Sequence, residues 1–443
     1  MKGSRVLKKR QYANPSRHRG KRFRPLYIIP AVCVVLCLGA LTWFLLGLAA
    51  PAGTPSDPLE IKPQPEHLSE VVPASTPTPA PTPEPTPEPT PEPTPVPTPS
   101  NLVPWDGIVE HLFFHPVIAY PEMAFDGDSQ EKGMDEYMVT APEYLRCLQS
   151  LYDKGYILVN MGDVWSEYTD EGGQQRMKRE TLMIPEGKKP LILSYDDVNY
   201  YKYMMENGFT YKLIIGDDGD LWSWGLDPDG KEVISQDLDV VTILDKFVRE
   251  HPDFSLNGAK GCLALTGYEG ILGYRTHTDA KENSAEFEAN RQREIEAVKP
   301  IVARLKETGW YFGCHSYGHL NLGKLSMGSA KTDADRWMNE VGSLVGETKL
   351  LIYPFGARPD GNDVTQTGPV FKYYHSLGFR VFASVGSESW SKIKTDICAV
   401  ICDRMHADGY TLRHERERYM KFYDAKEIWD DVRPKGGSYV REW

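Results

Sequence analysis

The sequence predicts an α/β fold with a largely parallel sheet, placed after a membrane-spanning segment and a proline-rich linker. From Trp105 onward, short apolar strand-like runs alternate with helix-like segments about seven times. This alternation is typical of parallel sheets, because parallel strands need a long crossover connection that is usually helical. Before that region lie an apolar run of 25 residues and a stretch with proline at every second position. Composition therefore divides the chain into a tail, a span, a linker and one large domain.

The N-terminal region combines a basic tail with an apolar segment. Residues 1–25 contain ten Lys or Arg and no acidic residue, and residues 26–50 are almost entirely apolar. An apolar run of this length can cross a hydrocarbon core of about 30 Å as a helix. Basic residues ahead of a span predict a cytoplasmic N-terminus, hence a single-pass protein of the cell membrane with an extracellular domain. A cleaved signal peptide is the alternative, but its apolar region is usually only about 7–15 residues long.

Residues 51–104 are a predicted Pro/Thr/Glu-rich linker, and residues 105–443 are the predicted folded domain. Proline occupies every odd position from 77 to 99. Such a sequence favours an extended polyproline helix, which rises about 3.1 Å per residue. Fully extended, the linker would place the domain on the order of 150 Å from the bilayer.

Charge and cysteine content exclude some classes of protein. The formal net charge is −12 although residues 1–50 contribute ten positive charges, so the remaining residues carry −22. A domain this acidic is a poor candidate for binding nucleic acid, and it favours a neutral or cationic substrate. Beyond the apolar span the cysteines are odd in number and scattered, which predicts buried thiols rather than disulfides: Cys147, Cys262, Cys314, Cys398 and Cys402.

Local signals predict individual elements of the domain. A helix begins after Thr140, because Glu143 three residues later completes a capping box. Residues 284–308 predict a long helix in which Pro300 permits a break or kink. The segment 216–230 predicts a turn or hairpin, with an incomplete calcium loop in DPDGKE as the alternative.

Two pairs of polar residues follow predicted strands. Asp196 and Asp197 are adjacent at the end of an apolar run, residues 191–193. His315 and His319 stand four residues apart just after the strand-like WYFGC. On a helical turn this spacing would put both imidazoles on one side, where they suit two ligands to one metal ion. Chemistry in α/β folds gathers at the carboxyl ends of strands, so both pairs are candidate site residues.

Three short motifs carry a resemblance to a known family. SYDDV, HSYGH and YPFG resemble, in order and spacing, the first three motifs of the polysaccharide deacetylase (NodB-homology) family of carbohydrate esterases. The resemblance covers roughly residues 108–415, and FFHPVI with the helix after it resembles the opening of the subgroup that contains bacterial poly-N-acetylglucosamine deacetylases. It implies a distorted (β/α) barrel of about seven strands. It also implies a hydrolase that removes acetyl groups from N-acetylhexosamine units of peptidoglycan or a related cell-surface polysaccharide.

The resemblance assigns roles to the charged residues of the first two motifs. It implies Asp196 as the general base that takes a proton from water. Asp197, His315 and His319 are then the ligands of a divalent metal ion. Zinc is the first choice, and one carboxylate with two imidazoles also suits cobalt, nickel or iron.

The remaining roles concern substrate and leaving group. In the third motif the resemblance implies substrate contacts at Tyr353 and Pro354, and a backbone N–H near Phe355 that stabilises the oxyanion. A histidine near the last strand would protonate the leaving amine, with His406 as the first candidate and His414 as the second. Four aromatic residues are candidates to line a sugar groove: Trp165, Trp222, Trp224 and Tyr268.

The sequence departs from the family pattern in three places. Val198 replaces the glycine after the second aspartate, Ile352 replaces the arginine of the third motif, and no Asp-x-x-Asp-Trp stretch is present, since SESW at 387–390 is only a loose echo. Arg404 is the candidate to substitute for the missing arginine beside Asp196. These departures leave one alternative, a glycan-binding protein that retains the barrel without turnover.

Overall fold

The computed structural model describes residues 101–282, 284–436, 439–441 and 443. The predicted basic tail, the predicted transmembrane segment 26–50 and nearly all of the predicted linker lie outside these residues. Within the described part of the chain, no helix is long and apolar enough to cross a membrane. Residues 102–104, assigned above to the linker, belong to the first strand and pair with residues 183–185.

Sixteen strands are present among the described residues. In chain order they are β1 (Leu102–Trp105), β2 (Glu110–Phe114), β3 (Tyr156–Leu158), β4 (Trp165–Thr169), β5 (Gln175–Arg179), β6 (Leu182–Pro185), β7 (Lys189–Asp196), β8 (Lys212–Ile215), β9 (Leu221–Leu226), β10 (Glu232–Ser235), β11 (Cys262–Leu265), β12 (Tyr311–Cys314), β13 (Leu350–Ile352), β14 (Val381–Val385), β15 (Trp390–Lys394) and β16 (Ala399–His406).

Seven of these strands close into a parallel barrel. The ring runs β11-β12-β13-β14-β16-β2-β7 and returns from β7 to β11, with every neighbouring pair parallel. β7 has two partners along one edge. Its first half, residues 189–191, pairs with β3, and its second half, residues 194–196, pairs with β11. β15 adds an antiparallel strand to β16. The expected (β/α) barrel is therefore present, and these two additional strands distort its regularity.

Helices surround the barrel. The longer ones are Ala141–Asp153, Val240–Glu250, Ala285–Glu307, Met327–Trp337 and Pro369–Ser376. The shorter ones are Pro121–Ala124, Glu131–Tyr137, Met161–Val164, Lys202–Glu206, Ser343–Val345, Pro359–Asn362, Gly409–His414, Arg416–Tyr419 and Ala425–Ile428. The capping box predicted at Thr140 and Glu143 is confirmed. Pro300 lies inside a helix that continues to Glu307, so it does not end the helix.

Three small sheets complete the described chain: β1 with β6, β4 with β5, and β8 with β9 and β10. The segment 216–260 contains β9, β10 and the helix Val240–Glu250. DPDGKE forms the turn between β9 and β10, where Asp227 accepts the backbone N–H groups of Asp229 and Lys231. The predicted hairpin is thus confirmed. All five cysteines named above are free and buried, as predicted.

Alternation along the strands separates the barrel interior from its outer face. Inward positions such as Ile192, Ala264 and Ala383 join one buried cluster, whereas outward positions such as Leu193 and Leu263 join the cluster that includes the helices. The inward set becomes polar toward the carboxyl ends of the strands. This change places the polar candidate residues at one end of the barrel, as in other α/β barrels.

A buried ionic cluster joins segments that flank the contact between β16 and β2. Arg433 is 1 % exposed and donates to both oxygens of Glu143 at 2.7 Å and to Asp135 at 3.0 Å. Arg413 binds the same Asp135 with two hydrogen bonds of 2.7 and 2.8 Å. Because Asp135 and Glu143 follow β2 and Arg413 follows β16, this cluster supports the pair of strands at the start and end of the barrel.

We expect Arg433→Ala to lower the free energy of unfolding by about 3–5 kcal/mol, because it leaves the buried carboxylate of Glu143 without its cation and leaves Asp135 with Arg413 alone. Lys435→Ala is the matched control, since Lys435 pairs only with exposed Asp431 and should change stability by less than about 1 kcal/mol. Urea unfolding of both variants measures the difference. Equal stabilities would show that the cluster does not support the barrel.

Candidate metal and catalytic site

The two adjacent aspartates point to different neighbours. Asp196 ends β7 and continues the inward alternation of Ile192 and Ser194. Asp197 takes a left-handed backbone conformation, with φ of 63°, which turns the chain out of the strand. Both side chains are nearly buried, at 3 % and 6 % exposure. The turn separates the two carboxylates, so each has its own partners.

Asp197 lies beside the two histidines of HSYGH. One ligand atom each from Asp197, His315 and His319 lies within 4.8 Å of the others. The Oδ2 atom of Asp197 is 3.4 Å from Nε2 of His319, and the two imidazole rings are 5.1 Å apart. The structure therefore brings together the three residues that the resemblance names as metal ligands.

The two histidines do not lie on a helical turn, so that part of the sequence interpretation is wrong. His315 follows β12 directly, and residues 315–320 form an irregular turn. Ser316 and His319 both adopt left-handed conformations, with φ of 61° and 51°. Backbone turns rather than helical periodicity bring the imidazoles together.

The three residues suit a divalent cation. Nδ1 of His315 is 3.0 Å from the carbonyl oxygen of Ile352, which can only accept, so Nδ1 carries the proton and Nε2 keeps its lone pair. Burial lowers the pKa of His315 despite the nearby aspartates, so the imidazole is neutral near pH 7. A carboxylate and two imidazoles match the ligands of zinc and similar metals.

Asp196 is held by Arg404 instead. Nη1 and Nη2 of Arg404 donate to the two oxygens of Asp196 at 2.8 and 2.9 Å. Burial alone would raise the pKa of the Asp196 carboxyl, but the Arg404 guanidinium and His315 hold that pKa well below its usual range. Asp196 is therefore ionised at neutral pH. The third motif lacks its arginine, and Arg404 takes the place beside Asp196 for which it was the candidate.

Arg404 itself is fully buried in the barrel interior. It also donates to Oγ of Ser194 at 3.0 Å, and its guanidinium lies 4.0 Å from the ring centre of Phe113. His111 bonds the same Ser194 oxygen at 2.9 Å, and burial lowers the pKa of His111 well below its ordinary value. No second carboxylate bonds this guanidinium among the described residues, so its charge is directed at Asp196.

The YPFG turn presents one side chain to solvent. Tyr353 is fully buried and its hydroxyl donates to Gln366 at 2.5 Å, and Pro354 is buried as well. Their side chains are therefore not substrate contacts, contrary to expectation. Phe355 is 68 % exposed in a left-handed conformation with φ of 59°, and its ring packs on His319 at 4.6 Å.

His406, the predicted proton donor, ends β16 at the same end of the barrel. Its Nδ1 is 2.7 Å from Oδ2 of Asp408. Burial would lower the pKa of His406, but the carboxylate of Asp408 raises it above the ordinary value. His414, the second candidate, lies at the end of the helix Gly409–His414 and packs on Tyr410.

His115 is a site residue that the sequence reasoning missed as a proton donor. The pairing of Phe114 with Tyr195 brings the following residues, His115 and Asp196, side by side. The charge of His115 also contributes to lowering the pKa of Asp196. Nδ1 of His115 is 3.0 Å from the carbonyl oxygen of Tyr137, which leaves Nε2 for other partners. Its position at the end of a predicted strand, in FFHPVI, was the available signal.

No protein-family model matches the chain, and no curated protein matches it. Its structural neighbours are deacetylases.

One is the deacetylase PplD of Streptococcus pyogenes in complex with acetate, at 14 % identity and a TM-score of 0.37, covering 68 % of this chain and 93 % of that one. Another is a polysaccharide deacetylase from Bacillus cereus, at 12 % identity and a TM-score of 0.38, covering 73 % and 69 %.

The candidate sugar-groove aromatics are spread over the molecule. Trp165 is buried with Leu350 and Val381, which begin their strands, so it lies at the opposite end of the barrel from the site. Trp222 and Trp224 lie on β9, in the separate three-stranded sheet. Tyr268 alone is near the aspartates, because it stacks on Tyr201 at 4.8 Å and Tyr201 bonds Asp197.

We expect Asp408→Asn to lower the pKa of His406, because the substitution removes the charge that offsets burial. Titration of the His406 ring protons by NMR measures this shift. The raised pKa means that the protonated form persists to higher pH in the wild type than in the variant. An unchanged His406 pKa would show that Asp408 does not control its protonation.

Proposed function

We propose that the protein is a metal-dependent deacetylase that removes acetyl groups from N-acetylhexosamine units of a cell-surface polysaccharide. The observation that carries the proposal is the separation of the two adjacent aspartates. Asp197 lies with His315 and His319, whereas Asp196 is bonded to Arg404. A candidate cation site thus adjoins a separate ionised carboxylate, and metal-assisted hydrolysis of an amide uses both: the cation activates water and the carboxylate takes its proton.

Each group of residues has a defined task in this proposal. Asp197, His315 and His319 would hold the cation, which supplies Lewis acidity to a water molecule and to the acetamide carbonyl. Asp196 takes the proton of the attacking water, and Arg404 keeps that carboxylate ionised and correctly oriented. The turn at Phe355, beside His319, is placed to stabilise the developing oxyanion through a backbone N–H.

The leaving amine needs a proton, and two imidazoles are available. His406 is the predicted donor, and the carboxylate of Asp408 favours its protonated form. His115 lies next to Asp196 across the β2–β7 pair. Both rings pack on Phe113, with centroid distances of 5.8 Å for His115 and 6.1 Å for His406. His406 is the proposed acid, and His115 is the second candidate.

The sequence outside the described residues supports a location for this activity. Residues 26–50 read as a membrane span after a basic tail, and residues 51–100 read as an extended linker. In the proposal the linker carries the barrel outward from the membrane to peptidoglycan or to another N-acetylglucosamine polymer. The acidity of the domain fits a substrate without dense negative charge.

The alternative is a glycan-binding protein that retains the barrel. Three departures from the family pattern favour it: Val198 in place of glycine, Ile352 in place of the third-motif arginine, and the missing Asp-x-x-Asp-Trp stretch. The geometry favours an enzyme, because Asp197 itself adopts the left-handed turn and Val198 is fully buried. The valine therefore does not displace the metal-ligand candidates.

We expect the wild-type protein to release acetate from chitooligosaccharides or peptidoglycan, and Asp196→Asn to reduce this rate by about 10²–10⁴-fold. The amide retains the size of the carboxylate but cannot take the proton. Removal of metal by a chelator should abolish acetate release, and added zinc or cobalt should restore it. Stoichiometric metal binding without acetate release on either substrate would favour the glycan-binding protein.

We expect His406→Gln to lower kcat with little change in KM, and to remove the alkaline limb of the kcat profile. Because Asp408 raises the pKa of His406, that limb should lie above the ordinary histidine value. His115→Gln is the matched comparison on the neighbouring strand. If His115→Gln removes the limb and His406→Gln does not, the proton donor is His115.

A further inference from the structure

The hydroxyl of Tyr201 occupies one oxygen of Asp197. Tyr201 is 2 % exposed, and its Oη donates to Oδ1 of Asp197 at 2.6 Å. The other oxygen, Oδ2, is the one that lies 3.4 Å from Nε2 of His319. The two oxygens of this carboxylate therefore have different surroundings, and only Oδ2 faces the histidines.

The orientation of the Tyr201 hydroxyl is determined by its second partner. Oγ1 of Thr266 lies 2.5 Å from Oη of Tyr201. The tyrosine donates its single proton to Oδ1 of Asp197, so Thr266 is the donor in the bond between the two hydroxyls. The resulting chain of two hydrogen bonds runs from the loop after β11 to the candidate metal ligand.

The ring of Tyr201 cannot move freely. It stacks on Tyr268, at 4.8 Å, and on Tyr203, at 5.7 Å, with interplanar angles of 18° and 20°. The loop that carries it is tied by Asn199, which donates to the carbonyl oxygen of Thr266 at 3.0 Å and accepts its N–H at 3.2 Å. The hydroxyl is thus held at Oδ1 by packing as well as by hydrogen bonds.

We propose that Tyr201 is a positioning residue that restricts Asp197 to a single-oxygen metal ligand. With Oδ1 occupied, Oδ2 and the two imidazoles would hold the cation, which would leave positions for water and the substrate carbonyl. Loss of the hydroxyl frees Oδ1, so that the carboxylate rotates or binds through both oxygens. This inference rests on the proposed function, because it concerns the cation in that site.

The test compares the full-length wild type with Tyr201→Phe and with Tyr203→Phe, which removes a hydroxyl from the same aromatic stack. Zn²⁺ and Co²⁺ affinities are measured by competition with a chelator, and the visible absorption of the Co²⁺ form reports coordination. We expect Tyr201→Phe to weaken both cations by about 10- to 100-fold. Its Co²⁺ band should change in intensity as the coordination number changes. Tyr203→Phe should retain the wild-type affinity and band.

Equal affinities for wild type and Tyr201→Phe, or a reduced affinity with an unaltered Co²⁺ band, would overturn this inference alone. Absence of cation binding by the wild type would overturn the proposed function and the inference with it. Circular dichroism melting confirms that each variant is folded. If Tyr201→Phe does not fold, the same cation affinities are measured for Thr266→Val, which removes the hydroxyl that donates to the tyrosine. A smaller loss of affinity supports the inference, and no loss overturns it.

Discussion

The ion pair between Arg404 and Asp196 is the interaction on which the rest of the site depends. Two adjacent carboxylates cannot both stay ionised in a nearly buried position unless each has a compensating charge or ligand. Arg404 supplies that charge to Asp196 with two hydrogen bonds of 2.8 and 2.9 Å. Asp197 is left to the two histidines. Because the two carboxylates have different partners, Asp197 can bind a cation while Asp196 serves as the base.

The barrel makes this arrangement possible because it aligns strands that are distant in sequence. Asp196 comes from β7, Arg404 from β16 and His315 from the end of β12, and the closed parallel ring brings their carboxyl ends together. Interior positions near those ends change from apolar to polar. The loops are held together as well, because Asn199 in the turn after β7 bonds the backbone of Thr266 in the turn after β11.

Sequence reasoning identified the residues whose type carries chemistry but not all of their neighbours. The alternation of strands and helices predicted a parallel α/β fold. The resemblance carried by SYDDV, HSYGH and YPFG implied the barrel and the three ligand candidates, which lie together. The helical placement of His315 and His319 was wrong, because left-handed backbone at Ser316 forms the turn. The burial of Tyr353 depends on Gln366, and His115 meets Asp196 only through strand register. Such long-range contacts leave no local pattern.

The central claim is that one cation binds Asp197, His315 and His319 while Asp196 stays with Arg404. Anomalous diffraction at the metal edge, from a crystal of the protein grown with Zn²⁺ or Co²⁺, tests this claim most directly. The account predicts a single peak about 2.0–2.2 Å from Oδ2 of Asp197 and from one nitrogen of each histidine. A peak bonded to Asp196 with Arg404 displaced, or no peak among these three residues, would contradict it.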